Sequence, residues 1–269
     1  MELEQVRYEV KGRVAVVTLD RPRYRNAQSR QLLEEMDQAF AAAVEDTDVR
    51  VIVLRGEGDN FSAGHDIGTP DERADLEARP YEEGLRGQYK RSWDRYIEFG
   101  LRWRNLPKPT IAAVQGYCIF GGWMIASSMD IIFAAEGAKF LPSKFQYFSV
   151  PWDLGIRKTK EILFETRFIP AEEAVDLGFA NRVVPLDQLD SEVMTYAERV
   201  AEGDSFELRL LKLAINQAQD HQGFSTHIVD AHTIYMLGAS QGGPRRVEGE
   251  RRRLGGVQRA LDYEGSSDA

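Results

Sequence analysis

Two stretches decide the fold: Phe61-Ser-Ala-Gly-His-Asp-Ile67 and Pro107-Lys-Pro-Thr-Ile-Ala-Ala-Val-Gln-Gly-Tyr-Cys-Ile-Phe-Gly-Gly-Trp-Met124. Each sets small residues after an apolar run of strand length, Val51–Leu54 in the first case and Thr110–Val114 in the second. Small side chains let backbone N–H groups face a cleft unhindered, and two such donors converging on one point form an oxyanion hole. Gly121-Gly122 opening a helix adds the positive end of a helix dipole there. The uncharged run Thr110–Met129 has the length of a membrane span. Gln115, Gly116, the Gly pair, Ser127 and Ser128 interrupt it and Asp130 follows, so it reads as a buried strand, a turn and a core helix.

Outward from this centre, strands and helices alternate. Val6–Val10 and Arg13–Leu19 are β-rich runs joined at Lys11-Gly12, a hairpin pattern. After Ser29, an N-cap type, Leu32, Leu33, Met36, Phe40 and Ala43 recur at helical spacing. Ile131–Ala135 and Val183-Val184 are further strands, and Pro170–Leu177 followed by Gly178 is a short helix. Leu186–Glu202, Ser205–Asp220 and Ser225–Leu237 are helical by pattern, and the tail Gly265–Ala269 reads as frayed. The expectation is an α/β core over residues 1–203, with a helical insertion near 68–106, and a helical region over 204–269.

The chain has 269 residues and a net charge of −9, so its field repels phosphate backbones and no nucleic-acid partner is expected. Cys118 is the only cysteine, and Met-Glu-Leu-Glu-Gln at the start is unlike a signal peptide; a cytoplasmic protein without a membrane partner is expected. Gly56–Gly64 has neither G-x-G-x-x-G nor a P-loop Gly-Lys. Gly238-Ala-Ser-Gln-Gly242 matches the nucleophile-elbow pattern, but it follows a helix rather than a strand, so Ser240 reads as part of a helix stop. His65, His221, His227 and His232 lack ligand spacing, and no metal site is expected. Arg245-Arg246 and Arg251–Arg253 form a local basic exception open to a phosphate-bearing ligand.

Taken together, the motifs resemble the crotonase, or enoyl-CoA hydratase/isomerase, superfamily over nearly the whole chain. The matching marks are Leu19-Asp-Arg-Pro22 with Asn26-Ala27, the F-x-A-G-x-D-I signature at Phe61–Ile67, Pro109–Tyr117, Asp130-Ile-Ile, Ala138-Lys-Phe140, Ala171–Ala174 with Leu177-Gly178, and Val183–Pro185. The resemblance implies a ClpP-like spiral of ββα units with a helical C-terminal region that assembles a homotrimer or a dimer of trimers. It also implies a CoA thioester whose carbonyl is held by the N–H groups of His65 and Gly121, with no cofactor beyond the substrate's own CoA. The same carry-over makes Arg23 and Arg25 candidates for CoA phosphates, and Ala63, Asp66, Ile67, Met124, Lys144 and Tyr147 candidates for substrate contact.

The chain departs from the family pattern at two points. Hydration in the family resembles a mechanism with two Glu residues, and their positions here hold Met124 and, at or beside it, Lys144. Met cannot transfer a proton, and Lys replaces a carboxylate base only when burial depresses its pKa by several units. His65, Ser143, Lys144, Tyr147, Trp152 and Asp153 remain as polar groups. Gly-His-Asp-Ile and Val-Pro-Trp-Asp-Leu resemble the methylmalonyl-CoA decarboxylase branch, with His65 and Trp152 in matching places. Loss of CO₂ makes an enolate without a base, so decarboxylation, C–C cleavage or isomerisation is expected ahead of hydration. Asp153 is the carboxylate candidate for catalysis or, alternatively, a cap for the following helix. Tyr81, Tyr89, Trp93, Tyr96, Phe99 and Trp103 form either the packed face of an inserted helix or a lid over the acyl pocket. The rival to an enzyme is a non-catalytic acyl-CoA-binding protein of the same fold.

Overall fold

A computed structural model describes residues 2–240 and 255–267. Its strands are β1 (Val6–Lys11), β2 (Val14–Leu19), β3 (Val51–Gly56), β4 (Thr110–Val114), β5 (Tyr117–Ile119), β6 (Ile131–Ala135), β7 (Lys139–Leu141), β8 (Ile169–Pro170) and β9 (Arg182–Val184). Its helices are α1 (Arg30–Glu45), α2 (Pro70–Ala78), α3 (Gly84–Ser92), α4 (Phe99–Arg104), α5 (Gly121–Ser127), α6 (Val150–Leu154), α7 (Ile156–Glu165), α8 (Ala171–Asp176), α9 (Leu189–Ala201), α10 (Ser205–His221), α11 (Phe224–Ser240) and α12 (Gly255–Ser267). A π-helical turn, Trp93–Glu98, joins α3 to α4.

The large sheet runs β1-β2-β3-β4-β6-β9, parallel except for the β1–β2 hairpin; β5-β7-β8 form a small second sheet. The chain climbs between them in repeated units. β4 in the large sheet, β5 in the small one and then α5 make one ββα turn; β6, β7 and α6 make the next. The two chains of small-sheet residues meet where Tyr117 pairs with Lys139. A lone parallel bridge from Ser62 to Cys118 puts the segment after β3 in the same corner layer.

Side-chain alternation explains why the central strands are apolar on both sides. Ala15, Val17, Ile52, Leu54, Ala112 and Val114 face α1. Val14, Val16, Val51, Val53, Ile111 and Phe133 face Leu189, Val193 and Ala197 of α9. Covered on both faces, β2 and β4 are buried throughout, which is the usual condition of a parallel sheet. Ser29 caps α1 as expected, its hydroxyl accepting from Leu32 N–H at 3.0 Å.

Thr110–Met129 is β4, β5 and α5 rather than a span, and no helix among the described residues is long and apolar enough to cross a membrane. Gly238–Ser240 continue α11, so Ser240 follows no strand; Gln241 and Gly242 lie outside the described residues, as do Arg245-Arg246 and Arg251–Arg253. The tail expectation needs correction, because Gly265–Ser267 extend α12, with Ala260 and Val257 packed against Ile119, Phe120 and Phe168.

Candidate active site

The site grows from two backbone turns. Gln28 and His65 form a lone parallel bridge in which Gln28 N–H donates to Gly64 O at 2.8 Å and Asp66 N–H to Gln28 O at 3.0 Å. In that pattern the N–H of His65 points away from its partner, and it donates to nothing among the described residues. The second turn is Phe120, held at φ 46° and ψ −96°, a strained conformation for a residue with a side chain. Its N–H is fixed on Leu141 O at 2.8 Å, and the turn releases Gly121 N–H, which also has no acceptor among the described residues.

The two turns touch. A Cβ on Gly64, whose φ is +88°, would sit 2.6 Å from Ile119 O and 3.3 Å from Gly121 N. A Cβ on Gly121 would sit 2.3 Å from Gln28 Oε1 and 2.7 Å from His65 Nδ1. The gap at Gly64 is bounded by backbone, so that position requires glycine, whereas a side chain at Gly121 would have to displace Gln28 and His65. Two unbonded N–H groups on abutting turns are what a polarised carbonyl oxygen needs.

Around these turns lie side chains that sequence patterns do not connect. The His65 ring packs on Tyr96 with centroids 4.1 Å apart, and its Nε2 is 3.1 Å from Gln146 Oε1. Burial pushes its pKa down to about 4, the Gln146 contact working against that and the Arg95 charge with it. Gln146 sits between two residues in the left-handed region, Phe145 at φ 65° and Tyr147 at φ 35°. That contortion aims the amide across 81 residues of chain separation. Gln28 and Ser62 complete the floor, Ser62 Oγ accepting from Gly64 N–H at 3.2 Å.

Met124 packs with Ile97, Tyr147, Phe224 and Ile228, while Tyr96 and Trp152 border the same cluster. Trp152 Nε1 donates to His227 Nδ1 at 3.0 Å. The Tyr147 hydroxyl is buried without a hydrogen-bond partner among the described residues, and burial raises its pKa. Arg23 and Arg25 are exposed and pair with no carboxylate among the described residues. Ile67 is exposed, and Ala63 N–H donates to Arg25 O at 2.9 Å.

Three expectations are corrected. Asp66 faces inward: its carboxylate pairs with Arg21 at 3.0 Å and accepts from Gly68 N–H, Thr69 N–H and the Thr69 hydroxyl, so it shapes the loop into α2 instead of presenting itself to a ligand. Lys144 is exposed and donates to Thr166 Oγ1 at 3.3 Å, away from His65. Asp153 caps no helix. It lies within α6, and its Oδ2 accepts from Trp123 Nε1 at 3.1 Å and from Ser149 Oγ at 2.7 Å. Burial raises its pKa to about 6 against those two hydrogen bonds. It borders a cavity of about 500 Å³ beside Ser127, Asp130, Arg104 and Lys212.

These observations fit one family, and comparison with known proteins decides it. The Enoyl-CoA hydratase/isomerase family profile matches residues 9–242. The chain belongs to that family. EchA13 of Mycobacterium tuberculosis, named as an enoyl-CoA hydratase, is 36% identical over 97% of this chain and 88% of its own. A Mycobacterium thermoresistibile structure, also named as an enoyl-CoA hydratase, is 43% identical with a TM-score of 0.80, covering 88% of this chain and 97% of that one. An enoyl-CoA hydratase/isomerase structure from Xanthobacter autotrophicus Py2 is 30% identical with a TM-score of 0.84 and covers 99% of both chains. The architecture is therefore the crotonase fold of the enoyl-CoA hydratase/isomerase family, and the chain is an acyl-CoA enzyme of that family. Gln28, Arg95 and Gln146 are the neighbours of the site that sequence reading missed; no local pattern marks them, because their partners lie far away in the chain.

Proposed function

We propose that the protein binds an acyl-CoA thioester with the carbonyl oxygen between the N–H groups of His65 and Gly121, and stabilises the enolate that forms there. Each such donor contributes roughly 10²–10³ in rate. The observation that carries this reading is the pair of unbonded N–H groups on abutting glycine-bearing turns. Arg23 and Arg25, exposed and without a carboxylate partner among the described residues, suit the CoA phosphates.

The enolate arises without a pair of carboxylates. Met124 stands among apolar side chains, and Lys144 is turned to Thr166. Decarboxylation, C–C cleavage or isomerisation needs only a stabilised anion and a dry pocket, whereas hydration needs groups that activate water and deliver its proton. The exposed apolar residues of α10, among them Phe206, Leu211 and Ile215, support assembly as a homotrimer or a dimer of trimers.

The test is mass spectrometry in D₂O with enoyl-, malonyl-type and cyclic β-keto acyl-CoAs. Loss of CO₂, ring opening or deuterium uptake at the α-carbon supports the reading. Hydration of crotonyl-CoA at the efficiency typical of hydratases would overturn its second half, and binding without any reaction or exchange would leave an acyl-CoA-binding protein.

A further inference from the structure

Arg95 is 7% exposed and sits in the π-helical turn next to Tyr96, the residue that covers His65. Such turns recur at functional sites. Its Nε donates to Tyr81 Oη at 2.8 Å and its Nη1 to Glu72 Oε1 at 3.0 Å, whereas buried Nη2 makes no well-formed hydrogen bond among the described residues, the Tyr96 hydroxyl being the polar group near the guanidinium. An unsatisfied N–H on a buried cation is costly and needs an explanation.

The surroundings carry surplus positive charge. The guanidinium carbons of Arg30, Arg91 and Arg95 lie 4.4, 6.0 and 5.2 Å from the centre of the Tyr81 ring. Glu72 and Asp75 are the carboxylates that pair with Arg95 and Arg30; Glu72 also accepts from Arg30 N–H at 2.9 Å, and Asp75 also pairs with Arg79. An anion is therefore the missing group. Arg95 adjoins Tyr96, whose ring lies 4.1 Å from that of His65, and this places the donor beside the proposed thioester site.

We propose that Arg95 anchors a free carboxylate on the acyl group, so that the substrate is the CoA monothioester of a dicarboxylic acid. This rests on the acyl-CoA reading above and deepens it. A planar guanidinium is suited to a carboxylate. The carboxylate it holds stays on the molecule through the reaction. An ion pair stabilises the ionised carboxylate more than the transition state in which that same group departs as CO₂, so pairing with the leaving carboxylate would oppose its loss.

The test is calorimetric titration of the full chain with CoA thioesters of straight-chain diacids of three to six carbons, each against the monoacid of equal length. A tenfold or greater preference for a diacid is expected at one length or more. Arg95→Met should abolish that preference, and Arg95→Lys should keep part of it. Equal affinities throughout in the unaltered protein, or a preference that survives Arg95→Met, would overturn the inference and leave the acyl-CoA reading standing. Failure of every thioester to bind would overturn both.

Discussion

His65 Nε2 faces Gln146 Oε1 at 3.1 Å, and His65 Nδ1 is buried without a hydrogen-bond partner among the described residues. An amide oxygen only accepts, so Nε2 carries the proton and the ring is neutral with a bare Nδ1. Its folded pKa of about 4 lies below the ordinary value of 6.5. The neutral ring therefore contributes stability that is full above about pH 6.5 and is lost as the pH falls toward 4. Denaturant titrations at pH 7.5, 5.5 and 4.5 should show that His65→Gln flattens this dependence. The unaltered protein should lose up to about 2.5 kcal/mol more than the variant over that window.

Asp153 works in the opposite direction over the same window. Its carboxyl is raised from an ordinary 3.8 to about 6, so its contribution is full below about pH 4 and is lost as the pH rises through 6. Asn at this position keeps an oxygen that can accept from Trp123 Nε1 and Ser149 Oγ but never ionises. Asp153→Asn should accordingly be more stable than the unaltered protein at pH 7.5, by up to about 2–3 kcal/mol, and nearly equal to it at pH 4. Thermal melts at the two pH values decide this. Greater stability of the unaltered protein at pH 7.5 would mean that the ionised form is well solvated.

Gly121 has no room for a side chain between Gln28 Oε1 and His65 Nδ1. A methyl group there moves His65 and Gln28 while leaving the sheet intact, so Gly121→Ala should fold but displace the proposed donors. Turnover of whichever thioester reacts should drop by about 10²-fold, with a far smaller change in thioester affinity. A variant with unchanged turnover would remove Gly121 from the hole.

The fold was legible because its signals are local. Val14–Leu19 and Thr110–Val114 are unbroken apolar runs, and burial on both faces leaves nothing to interrupt them. Gly64 and Gly121 were legible as glycines after strands, and the structure gives each a contact that excludes Cβ. Orientation was not legible. Lys144 and Gln146 are two residues apart, yet Phe145 at φ 65° and Tyr147 at φ 35° send one to Thr166 and the other to His65. Asp66 follows His65 directly, but the bridge with Gln28 fixes which faces the cleft, and Arg21 with the Thr69 turn takes the carboxylate. Arg95 reads as one of many helix charges until the structure buries it, with Nε on Tyr81, Nη1 on Glu72 and Nη2 turned to neither.

Arg23 and Arg25 offer a separable test of CoA recognition. Both are exposed, Arg25 through a left-handed turn at φ 51°, and neither has an acidic partner among the described residues. Removing one exposed phosphate contact weakens ground and transition states alike. The double variant Arg23→Gln with Arg25→Gln should raise KM about tenfold or more with kcat nearly unchanged, and the effect should shrink as salt is added. A fall in kcat without a rise in KM would place these residues elsewhere in the cycle.

Assembly follows from α10. Phe206, Leu210, Leu211, Leu213 and Ile215 leave 47–67% of their surfaces exposed, with Ile215 at the upper limit. Exposed apolar side chains in that number on one helix mark it as the expected subunit interface. Light scattering should therefore give three or six times the 30.5 kDa chain mass. Leu211→Glu with Ile215→Glu adds two further negative charges to the patch and should shift the mass toward one chain while circular dichroism stays unchanged. A lone chain from the unaltered protein at micromolar concentration would show that α10 is not the interface.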